Sequence, residues 1–181
     1  KTTVSYQLAL SFARHGRRAL LVDCDLRNPS VQKLAGRPVQ AGLTEYLAGA
    51  AKPGQIVTAL GKDKPDVIFA GRHAGTQTES LGSEAFRALM NTMRETYDFI
   101  VLDTPPCSLM TDAMEAGTAA DCALLVVRQD FSSRASVVNS LAALDEYGVP
   151  VLGYALNACR RSGRSGYGYG YGYGYGYGYG Y

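Results

Sequence analysis

The stretch Phe99-Ile-Val-Leu-Asp103-Thr-Pro-Pro106 decides the fold. Four apolar residues run without a break into one aspartate, which is typical of a parallel strand buried on both faces. Pro105 has no N–H to give to a strand ladder, so the strand is predicted to end near it. Asp103 would then lie at the carboxyl edge of an open sheet, where α/β proteins bind their ligands.

A carboxylate at that edge is costly to bury unless a partner offsets its charge. A hydrated Mg²⁺ ion is one such partner, because Mg²⁺ binds to oxygen ligands and keeps several waters. The alternative is that Asp103 only caps a turn at the end of the strand. Taken alone, the stretch favours neither interpretation.

The composition limits the class of protein. The chain has 181 residues, of which 46% are hydrophobic, and this suits one globular domain. Its formal net charge of +2 is too small to indicate binding to nucleic acid or to an anionic membrane. We find no apolar run near the ~20 residues that cross a bilayer, and no signal-peptide pattern. The cysteines lack metal-ligand spacing and indicate reduced thiols in a cytosolic protein: Cys24, Cys107, Cys122 and Cys159.

The chain opens with Lys1-Thr2-Thr3, which leads directly into an amphipathic helical pattern that ends near Gly16. A short apolar strand over residues 19–22 follows the helix. A lysine and a threonine at a helix N-terminus suit phosphate binding, because the N–H groups there attract anions. These three residues alone are a weak signal, since the glycine-rich loop and the strand that would precede such a helix are not in the sequence.

The apolar strand runs into a second acidic segment, Asp23-Cys-Asp-Leu-Arg27-Asn-Pro29. Asp23 and Asp25 are two residues apart, so they point to the same side if the strand continues that far. Two like charges at one place need a cation or a raised pKa. The alternative is a polar turn, which the Asn-Pro pair also fits.

The rest of the sequence alternates helical and strand patterns. The pattern predicts helices over 42–48, from Ser83 and from Ser132 or Ser133, and strands over 65–71, 122–127 and 151–156. Such alternation predicts an α/β fold with a doubly wound, mostly parallel sheet and helices on both faces. Because the candidate residues then lie at strand carboxyl ends or at one helix N-terminus, the sequence predicts a single site.

Two of the predicted helices carry apolar residues at helical spacing, and we expect these side chains to form core. They are Phe86, Leu89, Met90, Met93 and Tyr97 in the first helix, and Val137, Val138, Leu141 and Leu144 in the second.

The character of the sequence changes at residue 160. A basic linker of Arg, Gly and Ser leads into a strict Tyr-Gly alternation, which cannot bury a core and is expected to be disordered. We therefore divide the chain into a domain over 1–159 and a linker and tail over 160–181. The tail is either a sticky assembly segment or a cluster of phosphate acceptors: Tyr167, Tyr169, Tyr171, Tyr173, Tyr175, Tyr177, Tyr179 and Tyr181.

Three elements together resemble the deviant-Walker group of P-loop NTPases, which includes chromosome-partitioning and cell-division-site ATPases. They are the Lys-Thr-Thr helix start, the strand that ends in Asp-Cys-Asp-Leu-Arg, and Phe-Ile-Val-Leu-Asp-Thr-Pro-Pro. With the tyrosine tail added, the sequence resembles the bacterial tyrosine kinases of capsule and exopolysaccharide biosynthesis. The resemblance implies a P-loop NTPase-like fold that lacks its first strand. We therefore expect an N-terminally truncated fragment that binds ATP poorly by itself.

The resemblance implies ATP and Mg²⁺ as cofactors. Lys1 would contact the β- and γ-phosphates, Thr2 would bind Mg²⁺, and Thr3 would contact the α-phosphate. Arg27 would steady the phosphate or the acceptor. Asn157 lies where the group contacts adenine.

The resemblance also implies roles for the three carboxylates. Asp23 would orient or deprotonate the attacking tyrosine, while Asp25 and Asp103 would hold Mg²⁺ directly or through water. The division of roles between Asp23 and Asp25 stays open, so both are candidate catalytic residues together with Lys1. All three carboxylates are expected to converge on one ion.

For the whole protein, the resemblance implies an ATP-dependent protein-tyrosine kinase that phosphorylates its own tyrosine cluster and regulates polysaccharide polymerisation and export. The expected partners are further copies of the chain, protein tyrosine substrates and a membrane co-polymerase or activator region in the same or a neighbouring chain, with no nucleic acid. The domain would be cytoplasmic and attached to the inner membrane through an absent N-terminal region or that partner. Two alternatives stay open: a partitioning-type ATPase, and a non-catalytic subunit that regulates polysaccharide chain length.

Overall fold

The computed structural model describes residues 1–38, 41–72, 81–107 and 111–159. The helices are α1 (Thr2–Arg14), α2 (Val31–Ala35), α3 (Leu43–Leu47), α4 (Pro53–Ile56), α5 (Glu84–Thr96), α6 (Asp112–Gly117) and α7 (Arg134–Glu146). The strands are β1 (Ala19–Asp23), β2 (Val57–Ala59), β3 (Asp66–Ile68), β4 (Phe99–Asp103), β5 (Ala123–Arg128) and β6 (Val151–Asn157). The predicted linker and tyrosine tail lie outside the described residues.

The strands form two sheets. The first has the order β2-β3-β1-β4, in which β1 pairs in parallel with β3 and β4, and β2 pairs antiparallel with β3. The second consists of β5 and β6, which are parallel. The fold is therefore α/β with a mostly parallel sheet, as the sequence predicts.

The core lies on both faces of the first sheet. Leu20 and Val22 of β1 pack in one cluster with Phe86 of α5. Leu21, between them, packs in a second cluster that includes Ala9 of α1. Alternate residues of β1 thus face opposite helical layers, and all five of its residues are buried. This is the double winding that the alternation of patterns predicts.

β4 is less buried than predicted. Phe99 is 39% exposed, and Asp103 is the one fully buried residue of the strand. In the described part of the chain, β4 pairs with β1 alone. A cavity of about 320 Å³ lies along its other side and reaches Cys122, just before β5. The prediction of a strand buried on both faces is therefore wrong, because one edge of β4 faces open space.

The two long predicted helices differ in burial. Ser83 caps α5, since its hydroxyl accepts a hydrogen bond from the Phe86 N–H at 3.2 Å. The predicted core residues within α5 are buried, whereas Tyr97, just after the helix, is only partly buried. In α7, which Ser133 caps, Val138 and Leu141 are exposed. The prediction that these two side chains face inward is therefore wrong; in the described part of the chain, the sheet of β5 and β6 has two strands.

Candidate functional site

The carboxyl ends of β1 and β4 place two aspartates side by side. Asp23 and Asp103 are directly paired in the parallel ladder, and the Cys24 N–H donates to the Asp103 carbonyl oxygen at 2.8 Å. Both aspartates are buried, with exposed fractions of 0% and 1%. The two acidic strand ends predicted from the sequence therefore meet at one edge of the sheet.

α1 begins at the same edge. The Ser5 hydroxyl donates to Asp103 Oδ1 at 2.9 Å, which ties the first turn of α1 to β4. Ser30, in the loop after β1, donates to Thr2 Oγ1 at 2.9 Å. The start of the helix, the end of β4 and the loop after β1 are thus connected by hydroxyl groups.

The environment raises the pKa of both carboxyl groups. Burial raises the pKa of Asp23 to about 7, and the nearby charge of Asp103 adds to this rise. Hydrogen bonds from the Val31 and Asp25 N–H groups act in the opposite direction. Burial also raises the pKa of Asp103, and the hydroxyls of Thr2 and Ser5 oppose that rise. A cation bound between the strand ends would favour the ionised form of both groups.

One oxygen of Asp103 is buried without a partner. Asp103 Oδ2 has no hydrogen-bond donor among the described residues. Leaving such a group unsatisfied costs about 1–3 kcal/mol, and more when the group is charged. Mg²⁺, or a water that Mg²⁺ holds, would satisfy this oxygen, and the hydroxyl of Thr2, which opposes the rise in the pKa of Asp103, would offer a second oxygen. The donors at this edge therefore fit a hydrated Mg²⁺ ion.

Asp25 lies two residues beyond the last residue of β1. β1 ends at Asp23, so Asp25 is not on the strand, and its Oδ1 accepts a hydrogen bond from the Asn28 N–H at 3.0 Å. Among the residues described, no three His, Cys, Asp or Glu side chains are grouped so that they could hold one metal ion. The three carboxylates therefore form no direct ligand group in this structure, and their convergence on one ion, directly or through water, stays a prediction.

Arg27 forms an ion pair with α6. Its Nε donates to Asp112 Oδ2 at 2.9 Å, and 62% of the Arg27 side chain is exposed. The hydrogen bond and charge of Asp112 raise the pKa of the guanidinium. The structure thus gives Arg27 a protein partner, and its contact with phosphate or acceptor stays a prediction.

A cavity of about 630 Å³ brings together three of the predicted cofactor residues, since Lys1, Thr3 and Asn157 all line it. This volume is within the range of ~300–1,000 Å³ that is usual for small-molecule sites. Asn157 Oδ1 accepts a hydrogen bond from the Ala158 N–H at 2.8 Å, which leaves the amide NH₂ of Asn157 as its donor group. The cavity therefore connects the start of α1 with the end of β6.

Two residues of the site, Ser5 and Ser30, are not predicted from the sequence. Ser5 follows Thr2 by three positions, so the two lie on one face of α1, and this spacing could have indicated a shared role. Ser30 lies in a loop after a proline, where no periodic pattern points to it.

Comparisons with known proteins agree with this geometry. Residues 1–146 match the AAA_31 family, described as an AAA domain. Tyrosine-protein kinase etk of Escherichia coli (strain K12) is 34% identical over 167 residues, which are 92% of this chain and 23% of that protein. Its solved kinase domain has a TM-score of 0.84 at 32% identity and covers 94% of this chain and 67% of its own. The chain thus spans about a quarter of that kinase.

Two further proteins extend the comparison. Tyrosine-protein kinase CpsD of Streptococcus pneumoniae serotype 4 is 31% identical over 158 residues, 87% of this chain and 70% of that protein. The septum site-determining protein MinD of Pyrococcus horikoshii OT3, solved in complex with Mg-ADP, has a TM-score of 0.77 at 26% identity. That likeness covers 89% of this chain and 66% of the MinD chain.

Proposed function

Since the chain belongs to the AAA domain family and, within it, to the bacterial tyrosine kinases, we propose that the intact protein transfers the γ-phosphoryl group of ATP to tyrosine. One observation carries this proposal. The buried pair of Asp23 and Asp103 lies at the start of α1, and Asp103 Oδ2 has no donor among the described residues.

Phosphoryl transfer depends on positioning and on neutralising charge. When bound, Mg²⁺ supplies positive charge beside the β- and γ-phosphates, and we assign Asp103 and Thr2 to hold it, with Asp25 as a further candidate. Lys1 and the N–H groups of Thr2 and Thr3 bind the phosphates, because N–H groups at a helix start point away from the helix and the positive end of the helix dipole is there.

Asp23 is the proposed proton acceptor. Tyrosine has a pKa near 10, so a carboxylate that takes its proton as the P–O bond forms lowers the barrier. A cation bound nearby would keep Asp23 ionised, and hydrogen bonds from the Val31 and Asp25 N–H groups fix its orientation. Asp25 is only partly buried, so it is the second candidate for the same step.

The proposed nucleotide lies in the cavity of about 630 Å³, with its phosphates at Lys1 and Thr3 and its base toward Asn157. The amide NH₂ of Asn157 can donate to a ring nitrogen. Arg128, at the end of β5, lines the same cavity and adds a positive charge.

The proposed acceptors are the tail tyrosines from Tyr167 to Tyr181. β6 ends at Asn157, which lines the cavity with Lys1, so the chain continues toward the tail from the edge that carries the site. The ten residues from Asn157 to Tyr167 span at most about 36 Å. This length lets a tail tyrosine reach the site of its own chain or of a neighbouring copy.

The proposed biological role is regulation of capsule or exopolysaccharide polymerisation and export, with self-association and a membrane co-polymerase or activator region as partners. This role rests on the sequence resemblance. In the described part of the chain, no helix has the length and apolar character that crossing a membrane requires. The proposed membrane attachment, through an N-terminal region or through that partner, rests on the same resemblance.

A partitioning-type ATPase is the second candidate, because MinD has the same fold at 26% identity. The two functions differ in their products. A kinase leaves phosphate on tyrosine, whereas an ATPase releases all of it as inorganic phosphate.

The test is to incubate the intact protein with ATP and Mg²⁺ and to map phosphate by mass spectrometry. We expect phosphotyrosine within residues 167–181, with a loss of at least 100-fold in rate in Asp23→Asn. Asp145→Asn, an exposed carboxylate on α7, is the matched control and should keep the wild-type rate. ATP hydrolysis without phosphotyrosine would replace the kinase with the ATPase.

A further inference from the structure

A separate cavity at the carboxyl edge of the first sheet is lined by three cationic residues. It has a volume of about 590 Å³ and lies between α2 and the segment after β3. Lys33, Arg37 and Arg72 line it, and all three are exposed. None of the residues assigned above to the nucleotide lines this cavity. It is therefore a second concave surface near the same edge of the sheet.

The three cations have no acidic partner in the described part of the chain. The ion pairs there join Arg18, Arg27 and Arg94 to aspartates elsewhere. Glu45 is the nearby acid on α3, and its two oxygens accept from the backbone N–H groups of Gly42 at 2.7 Å and Arg72 at 3.0 Å. Among the described residues, no acidic side chain therefore pairs with the three cations.

The chemistry of these cations favours a phosphate group over a single carboxylate. Two guanidinium groups and one ammonium group in a concave surface give strong positive potential. Each guanidinium can donate two parallel hydrogen bonds to phosphate oxygens. A phosphotyrosine carries about −1.5 to −2 charge at neutral pH, whereas unmodified tyrosine carries none.

The distance to the proposed transfer site suits the tyrosine repeat. Ser30 contacts Thr2 at 2.9 Å, and α2 then rises ~1.5 Å per residue over its five residues before Arg37. The lining residues of α2 and the turn after it therefore lie within roughly 15 Å of Thr2. In an extended Tyr-Gly chain, successive tyrosines lie ~7 Å apart and every second one ~14 Å apart. All these tyrosine side chains would lie on one side of the chain.

We propose that this cavity binds phosphotyrosine of the Tyr-Gly segment while another tyrosine of the same segment occupies the transfer site. The proposal rests on the proposed kinase function and adds a regulation to it. The first phosphate holds the segment at Lys33, Arg37 and Arg72, so later phosphates are added faster than the first. Molecules that carry several phosphates therefore accumulate while other molecules still carry none.

The first experiment measures binding without ATP. Dephosphorylated intact protein is titrated with a fluorescent peptide of sequence 167–181 that carries one phosphate on Tyr175, or none. We expect the phosphopeptide to bind at least tenfold more tightly, and Arg37→Gln/Arg72→Gln to abolish the difference. Arg14→Gln/Arg17→Gln, which removes the same charge near the opposite end of α1, should keep it. An unchanged preference in the first double variant, or equal binding of a peptide with Glu at position 175, would overturn the proposal.

The second experiment separates this proposal from the kinase function. Phosphate number per molecule is followed over time by intact-protein mass spectrometry. We expect Arg37→Gln/Arg72→Gln to add the first phosphate at the wild-type rate and later ones several-fold more slowly. If the wild type gains no phosphate at all, the kinase function is refuted, and the peptide titration alone then tests whether the cavity binds phosphotyrosine. A normal first phosphate with unchanged later rates in the variant would refute the cavity's role alone.

Discussion

Asp103 lies directly beside Asp23 in the parallel ladder of β4 and β1, and both carboxyl groups are buried. Two neighbouring acids in a buried place destabilise each other's ionised form, so the arrangement favours either protonation or a bound cation. The hydroxyls of Thr2 and Ser5 from α1 lower the pKa of Asp103 but leave its Oδ2 without a donor among the described residues. The site is therefore organised for a positive charge.

The pH dependence of stability follows from Asp23. Its pKa is about 7 in the folded protein and about 4 when unfolded, so between these values the folded state holds a proton that the unfolded state has lost. Without Mg²⁺, we expect the free energy of unfolding to fall as pH rises from about 4 to about 7 and then to level off. The fall amounts to a few kcal/mol at most, at ~1.4 kcal/mol per pKa unit.

Urea unfolding in EDTA at a series of pH values measures this dependence. Asp23→Asn should make the fall smaller, because only the raised pKa of Asp103 then contributes to it, and should be more stable than the wild type at pH 8. Stability that instead rises between pH 4 and 7, in the wild type and the variant alike, would show that Asp23 titrates normally.

Gly71 is predicted to tolerate no side chain. Its φ is +115°, and a Cβ there would collide with the Thr44 hydroxyl, which is buried. Gly71→Ala should therefore lower the free energy of unfolding by about 2–4 kcal/mol, the sum of backbone strain and the clash. Gly61→Ala is the matched control, since φ is +112° and a Cβ would meet nothing within 4 Å. It should cost about 1–2 kcal/mol from strain alone, and equal losses in the two variants would contradict the clash.

The ion pair between Arg27 and Asp112 is expected to contribute little to stability. Because the Arg27 side chain is 62% exposed, solvent screens the pair, and Asp112→Asn should change the free energy of unfolding by less than about 1 kcal/mol. If Arg27 also steadies the phosphate or the acceptor, Arg27→Gln should slow phosphoryl transfer at least tenfold more than Asp112→Asn does. Equal rates in the two variants, measured with saturating ATP, would limit Arg27 to its contact with α6.

The sequence predicts much of this site because the strands end where their composition changes. The run from Phe99 to Asp103 is apolar up to its last residue, and the structure places that residue at the carboxyl edge. The helix start at Lys1 is likewise found at that edge. These features depend on local pattern and on parallel topology, which brings all strand carboxyl ends together.

The remaining features depend on contacts that no local pattern encodes. β1 ends at Asp23, and just after it the Asp23 carboxylate accepts a hydrogen bond from the Asp25 N–H at 3.2 Å. The short strand β2 pairs antiparallel with β3, although a run of three residues is too short to predict a strand. Val138 on α7 is exposed although its helical spacing predicts a core position, because spacing alone does not show which other elements cover a helix.

The measurement that tests the central claim most directly is the Mg²⁺ dependence of ADP binding to the intact protein, by titration calorimetry with Mg²⁺ or with EDTA. If Asp103 holds Mg²⁺ beside the phosphates, the wild type and the control Asp145→Asn bind ADP at least tenfold more tightly with Mg²⁺. Asp103→Asn should bind ADP with the same affinity in both conditions. Asp103→Asn that keeps the full Mg²⁺ effect would contradict the account.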